Sequence, residues 1–217
     1  MTRLTSATLL FSIVASGLLS GGAGAKARPS HNPAVPVSLV ETSPSLAPFQ
    51  HVRFCLRYPA DCRSNLTEDE RIELTSENSE LLGRVNRDVN AAIAPEEKGY
   101  GKNLREAWTI APFWGDCNDY AVTKRHELLR SGLPAKALRL AVVKTKSGDG
   151  HLVLLVATTK GDLMLDNLTD AVLPWQSADY QWMKIQSASD ARSWYNVKVS
   201  GVSISPAVRK LRVTDRQ

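Results

Sequence analysis

The 217-residue chain has no run of five or more Lys/Arg, and this removes the electrostatic footprint expected of a nucleic-acid binder. It also lacks any apolar stretch long enough to span a bilayer, any internal repeat and any abundance of aromatic residues, which make up 6% of the chain. Cysteine stops at three, too few for a disulfide-held miniprotein. With 43% hydrophobic and 23% charged residues, the chain falls among ordinary globular proteins rather than disordered or fibrous ones.

At the N-terminus, Arg3 precedes the apolar run Ala7–Leu19, then small residues and the triplet Ala25-Lys26-Ala27. This is the three-part grammar of a secretory signal peptide, predicted to occupy residues 1–27. As a helix the apolar run rises only ~20 Å, short of the ~30 Å hydrocarbon layer, so cleavage is expected rather than anchoring. Residues 28–50 carry several prolines and serines and read as an extended leader; residues 51–217 are expected to form one domain. The mature protein is expected in the periplasm or secreted, with no membrane span. In such an oxidising compartment Cys55 and Cys62, seven apart with Pro59 and Asp61 between them, are expected to pair. Cys117 is then left over: buried and inert, bridged to another molecule, or kept reactive.

Local patterns predict helices first and a sheet after them. Thr67-Glu68-Asp69-Glu70 has the form of a capping box, and Leu81, Val85, Val89 and Ile93 recur every four residues, predicting a helix from about 68 to 94. Its Asn86, Arg87 and Asn90 read as a solvated face. A second helix is expected from about Asp116 to Arg130, stopped by Gly132 and Pro134. Lys124, Arg125 and Arg130 fall toward its C-terminal half, where the macrodipole favours cations. The period then changes to two. Strands are predicted over 138–142, 151–158 and 163–166, with weaker signals at 182–185 and 194–200. An α+β domain with N-terminal helices packed on an antiparallel sheet follows.

Cys117 stands one residue into its predicted helix, where backbone N–H groups without helical partners point at the thiol and favour its thiolate. Gly115 admits a sharp entry into that helix. Asp116 and Asp119 oppose a thiolate, which therefore needs a counter-ion. His151 is the apt one, because it opens a strand directly after Gly148-Asp149-Gly150 and its ring can emerge at the mouth of the sheet. His31 and His51 fall in or near the leader, and His126 lies more than two turns from Cys117. A carboxylate should orient the imidazole, and Asp166 ends the next strand. If Lys160-Gly161 were the tip of a two-residue loop, however, the partner of His151 would be residue 170. Asp166 would then lie roughly 13 Å along the strand, so spacing leaves Asp166 and Asp170 both open.

Several pieces together resemble the bacterial transglutaminase-like cysteine peptidases, which include the LapG-type periplasmic adhesin proteases. They are Val85-Asn86-Arg87-Asp88-Val89-Asn90; Trp108 four residues before Pro112; Gly115-Asp116-Cys117-Asn118-Asp119-Tyr120-Ala121 followed by Lys124-Arg125; residues 128–134; Gly150-His151-Leu152-Val153-Leu154; and Leu165-Asp166-Asn167-Leu168. The resemblance implies a papain-like, transglutaminase-like fold and a Cys117-His151-Asp166 triad that hydrolyses peptide bonds. It favours Asp166 over Asp170. It also implies oxyanion donors at Trp108 and the Cys117 N–H, and a protein or peptide substrate such as a surface adhesin. No cofactor is required for the chemistry, although the family implies calcium at acidic residues flanking the cysteine. Here those positions are Asp116 and Asn118, the latter an amide where the LapG-type proteases carry a glutamate. Amide transfer to an amine, and a non-catalytic binding module of the same fold, are the alternative readings.

Overall fold

A computed structural model describes residues 38–96 and 108–200; the expected signal peptide and residues 28–37 of the leader lie outside them. In chain order the elements are β1 (Ser38–Ser45), α1 (Phe49–Arg57), α2 (Ser76–Ala92), the two-residue strands β2 (Ala94–Pro95) and β3 (Trp114–Gly115), α3 (Cys117–Arg130), β4 (Leu138–Lys144), β5 (Gly150–Val156), β6 (Leu163–Asp166), β7 (Thr169–Pro174), β8 (Gln181–Gln186) and β9 (Trp194–Ser200). Seven strands form one antiparallel sheet in the order β1-β9-β8-β4-β5-β6-β7, with β2 and β3 paired separately. The architecture is α+β, as the sequence predicts.

Alternation along the central strands divides the core in two. On one face Leu138, Leu140, Leu152, Leu154, Val156 and Leu165 pack with Leu82, Val85 and Val89 of α2 and with Ala121, Val122 and Leu128 of α3. On the other, Val143, Val153, Leu155, Met164, Trp175 and Trp182 form a smaller cluster without helices. β5 is buried at every position after Gly150, which explains its almost continuous apolar sequence.

Residues 38–45, within the expected leader, are extended but paired, forming the sheet-edge strand β1 against β9. Pro44 is tolerated there because the register shifts between Glu41 and Pro44 and an edge strand need not donate at every residue. An ion pair from Arg139 to Glu41 fastens this edge to β4. The remainder enters α1, which buries His51, Phe54 and Cys55, and the Cys55–Cys62 disulfide closes behind it with Cα atoms 5.5 Å apart.

The predicted long helix begins later than 68. Thr75 is its N-cap, accepting from the Asn78 N–H, and the Thr67 hydroxyl turns instead to Asn65. Residues before Thr75 are claimed by tertiary partners: Ile72 bridges Thr158 in parallel, Arg71 donates to the Thr158 carbonyl and Asp162, and Glu68 accepts from the Ala135 N–H. Capping chemistry is local and weak enough for such contacts to override it. Asn86 and Asn90 are not solvated either. Asn86 is fully buried, and both side chains donate to the β6–β7 connection, whereas Arg87 is exposed.

His51 is buried in an aromatic cage of Phe54, Trp108 and Trp194, where the Trp194 indole N–H donates to its Nδ1. Burial, with the Arg125 charge second, lowers its pKa to about 4. The unfolded chain therefore takes up a proton below about pH 6.5 that the folded chain refuses until about pH 4. This contribution to stability is fully present above 6.5 and is lost through this window, by up to about 3 kcal/mol. Urea unfolding at pH 7 and 4.5 should isolate it as the difference between wild type and His51→Gln, which cannot titrate: the change from pH 7 to 4.5 should be less destabilising in the variant.

Candidate active site

Cys117 is the first residue of α3, and Asp116 is its N-cap. The Asp116 Oδ1 accepts from the Asn118 N–H and Nδ2, both at 2.9 Å, while Asp119 reaches back to the Asp116 N–H at 3.1 Å and to the Thr109 N–H at 2.7 Å. This reciprocal capping box fixes the first helical turn and draws the segment carrying Trp108 against it. Gly115 is required by close approach: a Cβ there would sit 2.9 Å from the Asp119 Cβ and Oδ2 and 3.1 Å from Ile93 Cγ2. Burial comes first, with the negative neighbours Asp116 and Glu96 adding, in raising the Asp119 carboxyl to about 6 even though two backbone N–H groups pull the other way. Cys117 remains half-buried and unpaired.

His151 stands second in β5, opposite Val143 of β4. Its Nε2–H donates to Asp166 Oδ1 at 2.8 Å, which leaves Nδ1 as the nitrogen for Cys117. Asp170, the other carboxylate left open by the spacing, is exposed and bonded to Asn90 instead. The reason is a hairpin wider than two residues. Ala157 donates to the Ala137 carbonyl and Thr158 bridges Ile72, so the ladder stops at Val156↔Leu163. This shifts the pairing by two residues from the simple count and brings Asp166 to a diagonal neighbour position of His151.

Asp166 accepts twice more, from the Tyr180 hydroxyl at 2.6 Å and from the Leu168 N–H at 3.1 Å. Although burial would raise its pKa, the bond and charge of His151 and the other two donors prevail and hold it below the ordinary carboxylate value. Burial would likewise lower His151, but hydrogen bonds to Asp166 and Cys117, with their charges, outweigh it and lift the imidazole to about 9. The ring is thus a cation at neutral pH, held between a carboxylate and a sulfur. Tyr180, whose ring crosses that of His151 at 5.7 Å between centroids, was not legible in the sequence: it lies between a short 3-10 turn and β8 with no motif around it.

A cleft of about 460 Å³ opens at this point, lined by Trp108, Asp116, Cys117, Val142, His151 and Lys184 among others. Trp108 is 5% exposed and also packs on His51, so it serves the core as well as the cleft wall. His126, remote from this cleft, pairs with Asp61. No helix among the described residues is long and apolar enough to cross a membrane.

The arrangement supplies a nucleophilic atom, a proton carrier and an anion that orients it, on three different elements at one opening. Compared with known proteins, residues 41–201 match the family described as bacterial transglutaminase-like cysteine proteinase. Three solved structures of LapG from Legionella pneumophila are similar to this chain. The calcium-bound one is 23% identical, covering 57% of this chain and 71% of that one with a TM-score of 0.48. An EGTA-treated one is 21% identical, covering 58% and 70% with a TM-score of 0.47, and a third is 22% identical, covering 54% and 66% with a TM-score of 0.44. No curated protein matches.

Proposed function

We propose that this chain, which belongs to the bacterial transglutaminase-like cysteine proteinases, hydrolyses peptide bonds of a protein substrate through Cys117, His151 and Asp166. The observation that carries the proposal is His151, held as a cation between Asp166 and Cys117 at the mouth of the cleft. In the proposed reaction the Cys117 sulfur attacks the scissile carbonyl carbon. The oxyanion is met by the Cys117 N–H, which as the first helical amide has no intrahelical acceptor, and by Trp108. His151 gives its proton to the leaving amine as the carbon–nitrogen bond breaks. It then takes a proton from water, whose hydroxyl attacks the thioester; the carbon–sulfur bond breaks, the new carboxylic acid leaves and loses its proton to solvent, and the Cys117 sulfur is again beside the protonated imidazole. Asp166 does not transfer a proton; it fixes the ring and stabilises its charged form.

Export is part of the proposal, supported by the signal-peptide grammar of residues 1–27 and by the Cys55–Cys62 disulfide, which suits an oxidising compartment. A surface adhesin is the proposed substrate class by family analogy. Calcium at Asp116 and Asn118 fits the residues poorly. The Asp116 Oδ1 is already committed to the helix cap, and Asn118 directs Nδ2, a donor, toward it. Calcium takes six to eight oxygen ligands, so no step is assigned to it.

The test is product analysis of a peptide library in heavy-oxygen water, with and without an added primary amine. Hydrolysis predicts new C-termini carrying the heavy label in both conditions. Amine incorporated in place of the label would replace the peptidase with an amide-transfer enzyme, and an unchanged library, with Cys117 reactive toward no acyl donor, would leave a binding module.

A further inference from the structure

We infer that Lys124 is a positioning residue for the triad: its buried ammonium, set behind the turn that joins β6 to β7, governs the charge that Asp166 presents to His151. The inference rests on the triad reading above. Lys124 is fully buried on α3, and its Nζ has no hydrogen-bonding partner among the described residues; the Tyr120 ring lies beneath it, 5.9 Å to the centroid. The charges that act on it are Asp166 and Asp170, at the two ends of that turn. From α2, Asn86 and Asn90 face the same turn, donating through Nδ2 to the carbonyls of Asp166 and Thr169 and to Asp170 Oδ1.

The polar atoms left over are complementary. Buried oxygens Oδ1 of Asn86, Asn90 and Asn167 have no donor, while Lys124 offers three protons and no acceptor. α2 packs on α3 and on β7, and α3 on β6, so the buried cation and the three donorless oxygens belong to elements in mutual contact, and water-carried hydrogen bonds are the chemistry that satisfies such groups. A Leu or Met would fill this core position without burying a charge, so packing does not account for a lysine. Its proximity to Asp166 does. While it carries its proton, the ammonium adds to the His151, Tyr180 and Leu168 donors that already hold Asp166 ionised, and by drawing on the same negative charge it loosens Asp166's hold on the imidazolium proton, which must leave His151 in each turnover. Burial pulls Lys124 itself down to about 7, against the upward effect of Asp166 and then Asp170, so this control titrates near neutrality.

The experiment follows the ring nitrogens of His151 by NMR against pH in full-length wild type and in Lys124→Met, alongside iodoacetamide labelling of Cys117. Loss of the ammonium should raise the His151 midpoint by about half a pH unit or more, and should erase a second inflection near pH 7 present in wild type. A folded Lys124→Met whose His151 titration superimposes on wild type overturns the inference. Should that variant not fold, Asp170→Asn decides: removing an exposed anion beside Lys124 should lower the lysine's own NMR titration midpoint, and an unmoved midpoint overturns the inference. Slow labelling of Cys117 in wild type would instead defeat the triad reading, which separates the two failures.

Discussion

Cys117→Ala should lose about a million-fold in peptide hydrolysis, the scale seen when the nucleophile of a triad is removed, because the acyl intermediate of the proposed reaction forms on its sulfur. The companion variant His151→Ala should lose a comparable factor, and it should also slow iodoacetamide labelling of Cys117 at pH 6.5 by about ten-fold or more, since the adjacent cation that favours the reactive sulfur is gone. The pH dependence carries a definite sign. With the imidazole raised to about 9, its proton is present throughout the neutral range and is lost as pH rises through 9, so turnover should fall on that alkaline side. Labelling that is indifferent to His151 would end the nucleophile assignment, whatever the activity of the wild type.

The second large effect concerns the carboxylate. Asp166→Ala should reduce turnover by about a thousand-fold or more, because the ring loses its orienting acceptor and its charge partner together. Asp166→Asn separates these contributions. An amide oxygen can still accept from Nε2–H, but the charge that helps lift His151 is gone, so the alkaline limb should move down from about 9 toward the ordinary imidazole range. Asp170→Asn, whose side chain is exposed and bonded to Asn90, should leave hydrolysis within a few-fold. Rate profiles across pH 5–10 on one peptide substrate would check all three variants, and a larger loss for the Asp170 variant than for the Asp166 variant would reverse the assignment.

Much of the site was readable because its chemistry is written in short segments. The helix start at Asp116-Cys117 and the strand opening at His151 each follow from neighbours within a few residues, whereas the close approach of Ile93 that requires Gly115 comes from 22 residues away and was not readable. Asp166 needed more. Its distance from His151 depends on where the hairpin closes, and that is set by Ala137 and Ile72 capturing residues 157 and 158, contacts that span about 20 and about 86 residues of chain. Asn86 and Asn90 sit like any polar helix face in the sequence, yet the β6–β7 turn lands on them, leaving Asn86 buried and Asn90 half-buried.

By itself the sequence determined the α+β class, the positions of most strands, the paired and unpaired cysteines, and the residues able to supply a nucleophile and a base, since these depend on periodicity, capping and residue chemistry over short range. Only the tertiary structure decided that Asp166 is the carboxylate on His151, that Tyr180 supports it, that Lys124 lies buried behind it, and that part of the supposed leader is the edge of the sheet. Those facts depend on which distant segments exclude water together, and a charged or amide side chain gives no local sign of whether its partner will be solvent or another part of the chain.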